Sequence, residues 1–288
     1  MVLGSVGMIG LGLAGKALAR RLLEHGYAVT GHDVSPEAVT AAAELGVTPA
    51  HDAEAIARTH PTIIFSLPDS DVVSKLLWSD GLAASLPAAA LVLDTTTGRP
   101  QDAADNQERL AAQGVRFVDV TLSGSSEDIA AGRATALVGD VATPDYDALV
   151  RAIAPTVFYL GGPGRGCLGK LVINHIMGLN RAALAEGLAM GMAAGMEGET
   201  LLDVLRQSAA YSRVVDMKGE RMVREDFVPA SRIAQHAKDV RLILQEGERL
   251  GLALRLERAH AELLEEAITA GLGNLDNAAI IRVCQGKP

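Results

Sequence analysis

Val6-Gly7-Met8-Ile9-Gly10-Leu11-Gly12-Leu13-Ala14-Gly15 runs an apolar, strand-like stretch straight into a G-x-G-x-x-G turn. The residues that follow, 14–25, have the spacing of an amphipathic helix, so the turn joins a buried strand to a helix. In that setting Gly10 permits the tight turn and Gly12 lets backbone amides approach a pyrophosphate. Gly15 lets the helix lie close on the strand, and the helix N-terminus faces the phosphates. Asp33 ends the next predicted strand, where a carboxylate accepts hydrogen bonds from ribose hydroxyls and repels a 2′-phosphate. The sequence continues Val34-Ser35-Pro36-Glu37, with no arginine to hold such a phosphate. Gly10, Leu11, Gly12, Leu13, Ala14, Gly15, Asp33 and Val34 are therefore read as a dinucleotide cradle, with NAD favoured over NADP.

Outward from this turn, short β-rich runs alternate with helical stretches, the pattern of a parallel sheet covered on both faces. Strands are expected at 6–9, 28–33, 62–66, 91–94, 117–120, 134–138 and 157–160. A helix over 36–45 is marked by Ser35 as N-cap, Pro36 at the first helical position and Gly46 at its end. After Gly161-Gly162-Pro163-Gly164 the period-two pattern stops and long helical runs follow, at 170–194, 201–209, 231–250 and 255–270. The expected architecture is α/β: a Rossmann-type doubly wound sheet over 1–163, then an all-helical C-terminal substrate and oligomerisation domain over 164–288, joined by a long interdomain helix.

Composition narrows the function. With 288 residues, of which 49% are hydrophobic, the chain can bury the cores of two domains. A net charge of -9 argues against an extended basic surface for nucleic acid or anionic lipid. The apolar stretch 1–13 lacks the basic region and cleavage site of a signal peptide and reads as a buried strand. The most apolar helical stretch, 177–196, is interrupted by Arg181 and Glu186, so a buried helix is expected and no membrane span. Cys167 and Cys284 have neither metal-type nor disulfide spacing, which suits a reducing cytoplasm, with no metal site. Aromatics make up only 3% of the chain, so small residues are expected to provide close helix packing in place of bulky anchors.

Four further segments, with the glycine turn, resemble the β-hydroxyacid dehydrogenases, a group that includes 3-hydroxyisobutyrate dehydrogenases, tartronate semialdehyde reductases and glyoxylate reductases and is related to the 6-phosphogluconate dehydrogenases. Ser66-Leu67-Pro68 and Asp94-Thr95-Thr96-Thr97 resemble the family's strand-end loops along the cofactor, which implies cofactor contacts at Leu67, Pro68, Thr95 and Thr96. Asp119-Val120-Thr121-Leu122-Ser123-Gly124-Ser125 resembles the substrate loop D-A-P-V-S-G-G, so Ser123 and Gly124 inherit the hold on a substrate carboxylate. Thr121 departs from the usual proline and Ser125 from the second glycine. The segment 162–174 resembles the glycine-rich entry to the family's long helix, which implies a catalytic lysine at Lys170 and a substrate-orienting asparagine at Asn174. Ile173 replaces the first of two usual asparagines. Lys238-Asp239-Val240 resembles the family's K-D-L and implies a cofactor-side role for Lys238, whereas Ser231 stands where an aromatic residue is usual.

Alcohol–carbonyl interconversion needs a group that exchanges the hydroxyl proton and groups that fix the reacting carbon. Four residues apart on a helix, Lys170 and Asn174 share one face. An ordinary lysine titrates near about 10.4, and partial burial beside a cationic nicotinamide would lower that value toward neutrality. The reading is an NAD-dependent oxidoreductase for a small β-hydroxy acid or semialdehyde carboxylate, with Lys170 as general acid/base. The resemblance implies a homodimer or homotetramer. An imine reductase of the same architecture, usually with aspartate or tyrosine in place of the lysine, and a non-catalytic NAD-binding regulator are the alternatives. The chain is too short for the large helical domain of a 6-phosphogluconate-type decarboxylase, and a methyltransferase would not explain the helical second half. His175 lies one position off the shared face and reads as a packed or hydrogen-bonded histidine, Cys167 and Cys284 as small buried residues, and Met190, Met192 and Met196 as core or subunit contacts.

Overall fold

A computed structural model describes residues 3–287; Met1 and Val2, the start of the apolar N-terminal stretch, lie outside them. The chain divides into two compact units, Met1–Lys170 and Leu171–Pro288.

In the first unit, β1 (Gly4–Ile9) turns into α1 (Leu13–Glu24), β2 (Tyr27–His32) into α2 (Pro36–Ala43), and β3 (Thr48–Pro49) into α3 (Ala53–Thr59). Then come β4 (Thr62–Phe65), α4 (Ser70–Ser74), β5 (Leu91–Asp94), α5 (Pro100–Ala111), β6 (Arg116–Ser123), α6 (Ser126–Ala130), β7 (Thr135–Val138), α7 (Pro144–Ile153) and β8 (Thr156–Tyr159). The strand order is β3-β2-β1-β4-β5-β6-β7-β8. β1 through β6 are parallel, but β7 runs antiparallel to β6 and parallel to β8, a departure from the all-parallel expectation.

Side-chain alternation sends each strand's residues to two separate cores. Val6 and Met8, Ile64, Leu91 and Leu93, and Val118 and Val120 pack on one face with α1 and α7. Ile63 and Phe65, Val92, and Phe117 pack on the other with α3 and α5. Phe65 and Phe117 are fully buried, each contributing roughly 1.5–3 kcal/mol by apolar burial. The helix starts carry the expected signals: the Ser35 hydroxyl accepts from the Ala38 N–H with Pro36 in the first turn, and Asp52 caps α3.

A continuous helix, α8 (Arg165–Ala193), runs through the division between the units. The second unit continues with α9 (Gly198–Arg206), α10 (Arg213–Val223), α11 (Ile233–Arg249), α12 (Arg255–Thr269) and α13 (Ile280–Cys284). Its core gathers Leu184, Leu188, Leu202, Val215, Met222, Ile233, Val240, Leu264 and Ile281. Glycines allow the close helix contacts that the low aromatic content requires: a Cβ at Gly191 would press on Leu201, and one at Gly198 on Val223. Among the described residues no helix is long and apolar enough to cross a membrane.

Candidate dinucleotide and substrate site

β1 lies between β2 and β4, so its connections depart to opposite sides and a crevice opens at the carboxyl ends of the strands. Gly10 adopts φ +97, and a side chain there would overlap the Ser66 carbonyl. The Gly10 N–H donates to the His32 carbonyl at 2.9 Å, and the Ser66 N–H to that of Ile9 at 2.9 Å, which lock β1, β2 and β4 together at this end. α1 begins without a side-chain cap and without an acidic residue in its first turn, so its leading N–H groups are not taken up by the chain's own side chains. A Cβ at Gly12 would meet nothing within 4 Å, whereas one at Gly15 would overlap the Gly10 carbonyl. Leu13 and Val34 stand exposed beside the turn.

Asp33 is held from two sides: Oδ2 accepts the Leu11 N–H at 2.6 Å and Oδ1 the Ser35 N–H at 2.9 Å. A carboxylate offers about four acceptor positions, so capacity remains for hydroxyl donors. At the next strand ends the Leu67 N–H donates to Thr96 Oγ1 at 3.2 Å and the Thr95 hydroxyl to the Phe65 carbonyl at 2.6 Å, while Pro68 is exposed. An open approach at Gly12, uncapped helix N–H groups and an oriented carboxylate at the end of β2 fit a dinucleotide.

β6 carries the substrate-loop segment. Ser123 ends the strand half-buried, and Gly124 follows in the exposed turn at φ +143, where glycine is favoured. Ser125, the departure from the second glycine, caps α6 in a reciprocal capping box with Asp128. Lys170 is half-buried five residues into α8, and Asn174, buried, stands one helical turn on. In the helical unit the Asn174 amide donates to Asp239 Oδ2 at 3.0 Å, which joins α8 to α11 beside half-buried Lys238. Ser231 is exposed and its hydroxyl accepts from the Asn277 amide at 3.1 Å. His175 is hydrogen-bonded, as its off-face position suggested, to buried Glu257 at 2.7 Å. Met190 and Met196 are exposed in the chain.

Three groups escaped a role in the sequence reading. Asp119 reaches from β6 to the start of α8, its Oδ1 accepting the Gly164 N–H and its Oδ2 the Cys167 N–H, both at 2.9 Å. Thr121 donates to the Gly166 carbonyl at 2.7 Å. Asp94, fully buried next to Asp119, is pushed up to about 7, chiefly by desolvation. Burial raises Asp119 as well, against its backbone donors. Burial, then the Asp119 and Asp94 charges, hold the Cys167 thiol well above its ordinary range, so it remains an inert, protonated packing group. A glycine run opposite a strand that carries alternate polar residues was the available signal for the Asp119 contact.

A doubly wound sheet with this cradle at its switch point, followed by a helical unit, defines a dinucleotide-dependent oxidoreductase class. Residues 5–161 match the family model of the NAD-binding domain of 6-phosphogluconate dehydrogenase, and residues 164–284 that described as the NAD-binding domain of NADP-dependent 3-hydroxyisobutyrate dehydrogenase. The chain is 30% identical to glyoxylate/succinic semialdehyde reductase 1 of Arabidopsis thaliana, covering 96% of each sequence. It is 27% identical to 2-(hydroxymethyl)glutarate dehydrogenase of Eubacterium barkeri, over 96% of this chain and 94% of that one. The solved 3-hydroxyisobutyrate dehydrogenase of Mycobacterium tuberculosis shares the fold at TM-score 0.90, with 23% identity over 98% of this chain and 99% of that one. The chain belongs to the β-hydroxyacid dehydrogenase family. It is an NAD(P)-dependent oxidoreductase of the kind that acts on CH–OH groups.

Proposed function

We propose that this chain interconverts a small β-hydroxy acid, or the alcohol of a semialdehyde carboxylate, with its carbonyl form, using NAD in preference to NADP. The observation that carries the reading is the presence, in one compact unit, of the cradle at the strand carboxyl ends and of Lys170 at the start of a helix tied to β6 of the same sheet. When bound, the nicotinamide accepts or returns the hydride. Lys170 Nζ gives a proton to the substrate oxygen during reduction and takes it back during oxidation. Asn174 orients that oxygen, with its own amide steadied by Asp239. Ser123 and the Gly124 N–H hold the carboxylate, Leu67, Pro68, Thr95 and Thr96 line the cofactor, and Lys238 serves its nicotinamide side. Asp33 and the absence of a cation in Val34-Ser35-Pro36-Glu37 support the preference for NAD.

The helical part of the chain is proposed to build a homodimer or homotetramer, and the two free cysteines fit a reducing cytoplasm. Turnover of short hydroxy acids and semialdehydes, followed by nicotinamide absorbance with both dinucleotides, tests the reading. Lys170→Ala is expected to lower kcat by about a hundredfold or more while dinucleotide binding persists, the range of a lost general acid/base. Undiminished turnover in this variant would overturn the assignment of the proton to Lys170.

A further inference from the structure

We propose that Thr121 is a positioning residue that sets the height of Lys170 through the first turn of α8; the inference rests on the reading of Lys170 as general acid/base. β6 places residues 119, 121 and 123 on one face, because successive side chains alternate. The opposite residues, Val118, Val120 and Leu122, enter the core with α1 and α7. The helix start seats on the polar face. Asp119 takes the Gly164 and Cys167 N–H groups, and Thr121, with no exposed surface, gives its hydroxyl to the Gly166 carbonyl at 2.7 Å.

In α-helical register the Gly166 carbonyl is the acceptor for the backbone N–H four residues on, which belongs to Lys170. One carbonyl oxygen thus ties the Thr121 hydroxyl to the backbone of the reacting lysine. Gly166 makes this seat possible: a Cβ there would crowd the Leu137 and Asp119 carbonyls and the Asp119 carboxylate. Two residues beyond Thr121 the same strand face ends at Ser123, so one strand register spaces the carboxylate-holding residue and the proton-exchanging residue. Proline, usual at position 121 in the pattern this segment resembles, has no hydroxyl to donate. The Thr121 clamp therefore compensates, on the side chain, for what other chains of this pattern achieve by a different local shape.

The test compares Thr121→Val, which keeps shape and removes the donor, with Thr121→Ser, which keeps the donor. Thr121→Ala repeats the deletion should the valine variant not fold. The deletion is expected to lower kcat about tenfold, within the range that sub-ångström misplacement of a reacting group costs. KM for the dinucleotide should be unchanged, since the cradle lies on β1, α1 and β2, and Thr121→Ser should return kcat to within about twofold of wild type. Introduced into Lys170→Ala, the deletion should produce almost no further loss, because the two residues act through one another. A kcat within twofold of wild type in the donor-deleted protein overturns the clamp, as does a serine variant as slow as the valine, or a full tenfold loss on top of Lys170→Ala. Should Lys170→Ala itself turn over normally, the acid/base reading fails and the clamp falls with it. A silent Lys170→Ala beside a fully active Thr121→Val refutes the clamp alone.

Discussion

At the scale of single residues, Asp33 shows how one carboxylate serves both conformation and selectivity. Its bonds to the Leu11 and Ser35 N–H groups hold the glycine turn against the start of α2, and its charge faces the position that a 2′-phosphate would take. Asp33→Asn keeps an acceptor oxygen and removes the charge. Loss of a charge-assisted hydrogen bond of about 1.5 kcal/mol corresponds to roughly a tenfold rise in KM for NAD. KM for NADP should stay level or fall, so the NAD/NADP ratio of kcat/KM is expected to drop by at least tenfold. Steady-state kinetics with both dinucleotides checks this, and an unchanged ratio would remove Asp33 from the selectivity argument. Val34 and Leu13, by contrast, are exposed apolar side chains whose place beside the turn was legible only because the glycine motif precedes them.

At the scale of elements, the long helix α8 shows what a glycine in a helix interior can accomplish. Gly178 is buried, and a Cβ there would sit 2.7 Å from His260 Cε1 and 2.8 Å from His236 Nε2, two imidazoles stacked at a tilt with centroids 5.1 Å apart. Alanine would favour helix by about 0.5–1 kcal/mol, but overpacking a tight site costs about 1–3 kcal/mol. The second effect wins because both neighbours are buried rings rather than mobile chain ends. Gly178→Ala is expected to destabilise the helical unit by about 1 kcal/mol, read as a lower urea midpoint with unchanged slope. A stabilised variant would show that the imidazoles have room to move. Arg181, one turn further on the same helix, is fully buried; desolvation lowers it to about 10, against the charges of Asp276, Glu257 and Asp239, so it remains cationic at neutral pH.

At the scale of the whole molecule, the two units carry buried titratable groups of opposite sign. Asp94 in the first unit keeps its proton up to about 7, whereas an unfolded aspartate releases it near about 3.9. Between those values only the native state holds the proton, so the contribution of Asp94 turns against folding as pH rises from about 4 to 7 and then levels off. His236 in the second unit is held neutral, first by burial and then by Arg181 and His260. As pH falls through about 6.5 the unfolded chain gains a proton that the native state refuses, and stability is lost. Moving from pH 8 to pH 5.5 should therefore strengthen the first unit, followed by fluorescence of its single tryptophan, Trp78, and weaken the second, followed by helical ellipticity. Asp94→Asn should flatten the first trend and His236→Gln the second. Parallel trends in the two signals would contradict the assignment.

The sequence by itself determined the local grammar: the glycine turn, the strand alternation, the Ser35 cap, the end of the period-two pattern near Gly161 and the long helix after it. These follow from nearest neighbours along the chain, where backbone sterics, capping and periodicity act over a few residues. Only the tertiary structure decided that β7 reverses against β6, that Asp119 and Thr121 hold the start of α8, and that Asn174 meets Asp239. Those contacts join residues separated by 45 positions or more along the chain. Their existence depends on which strand faces which helix, and desolvation, which raises Asp94 and lowers His236, is a property of the assembled core rather than of any segment.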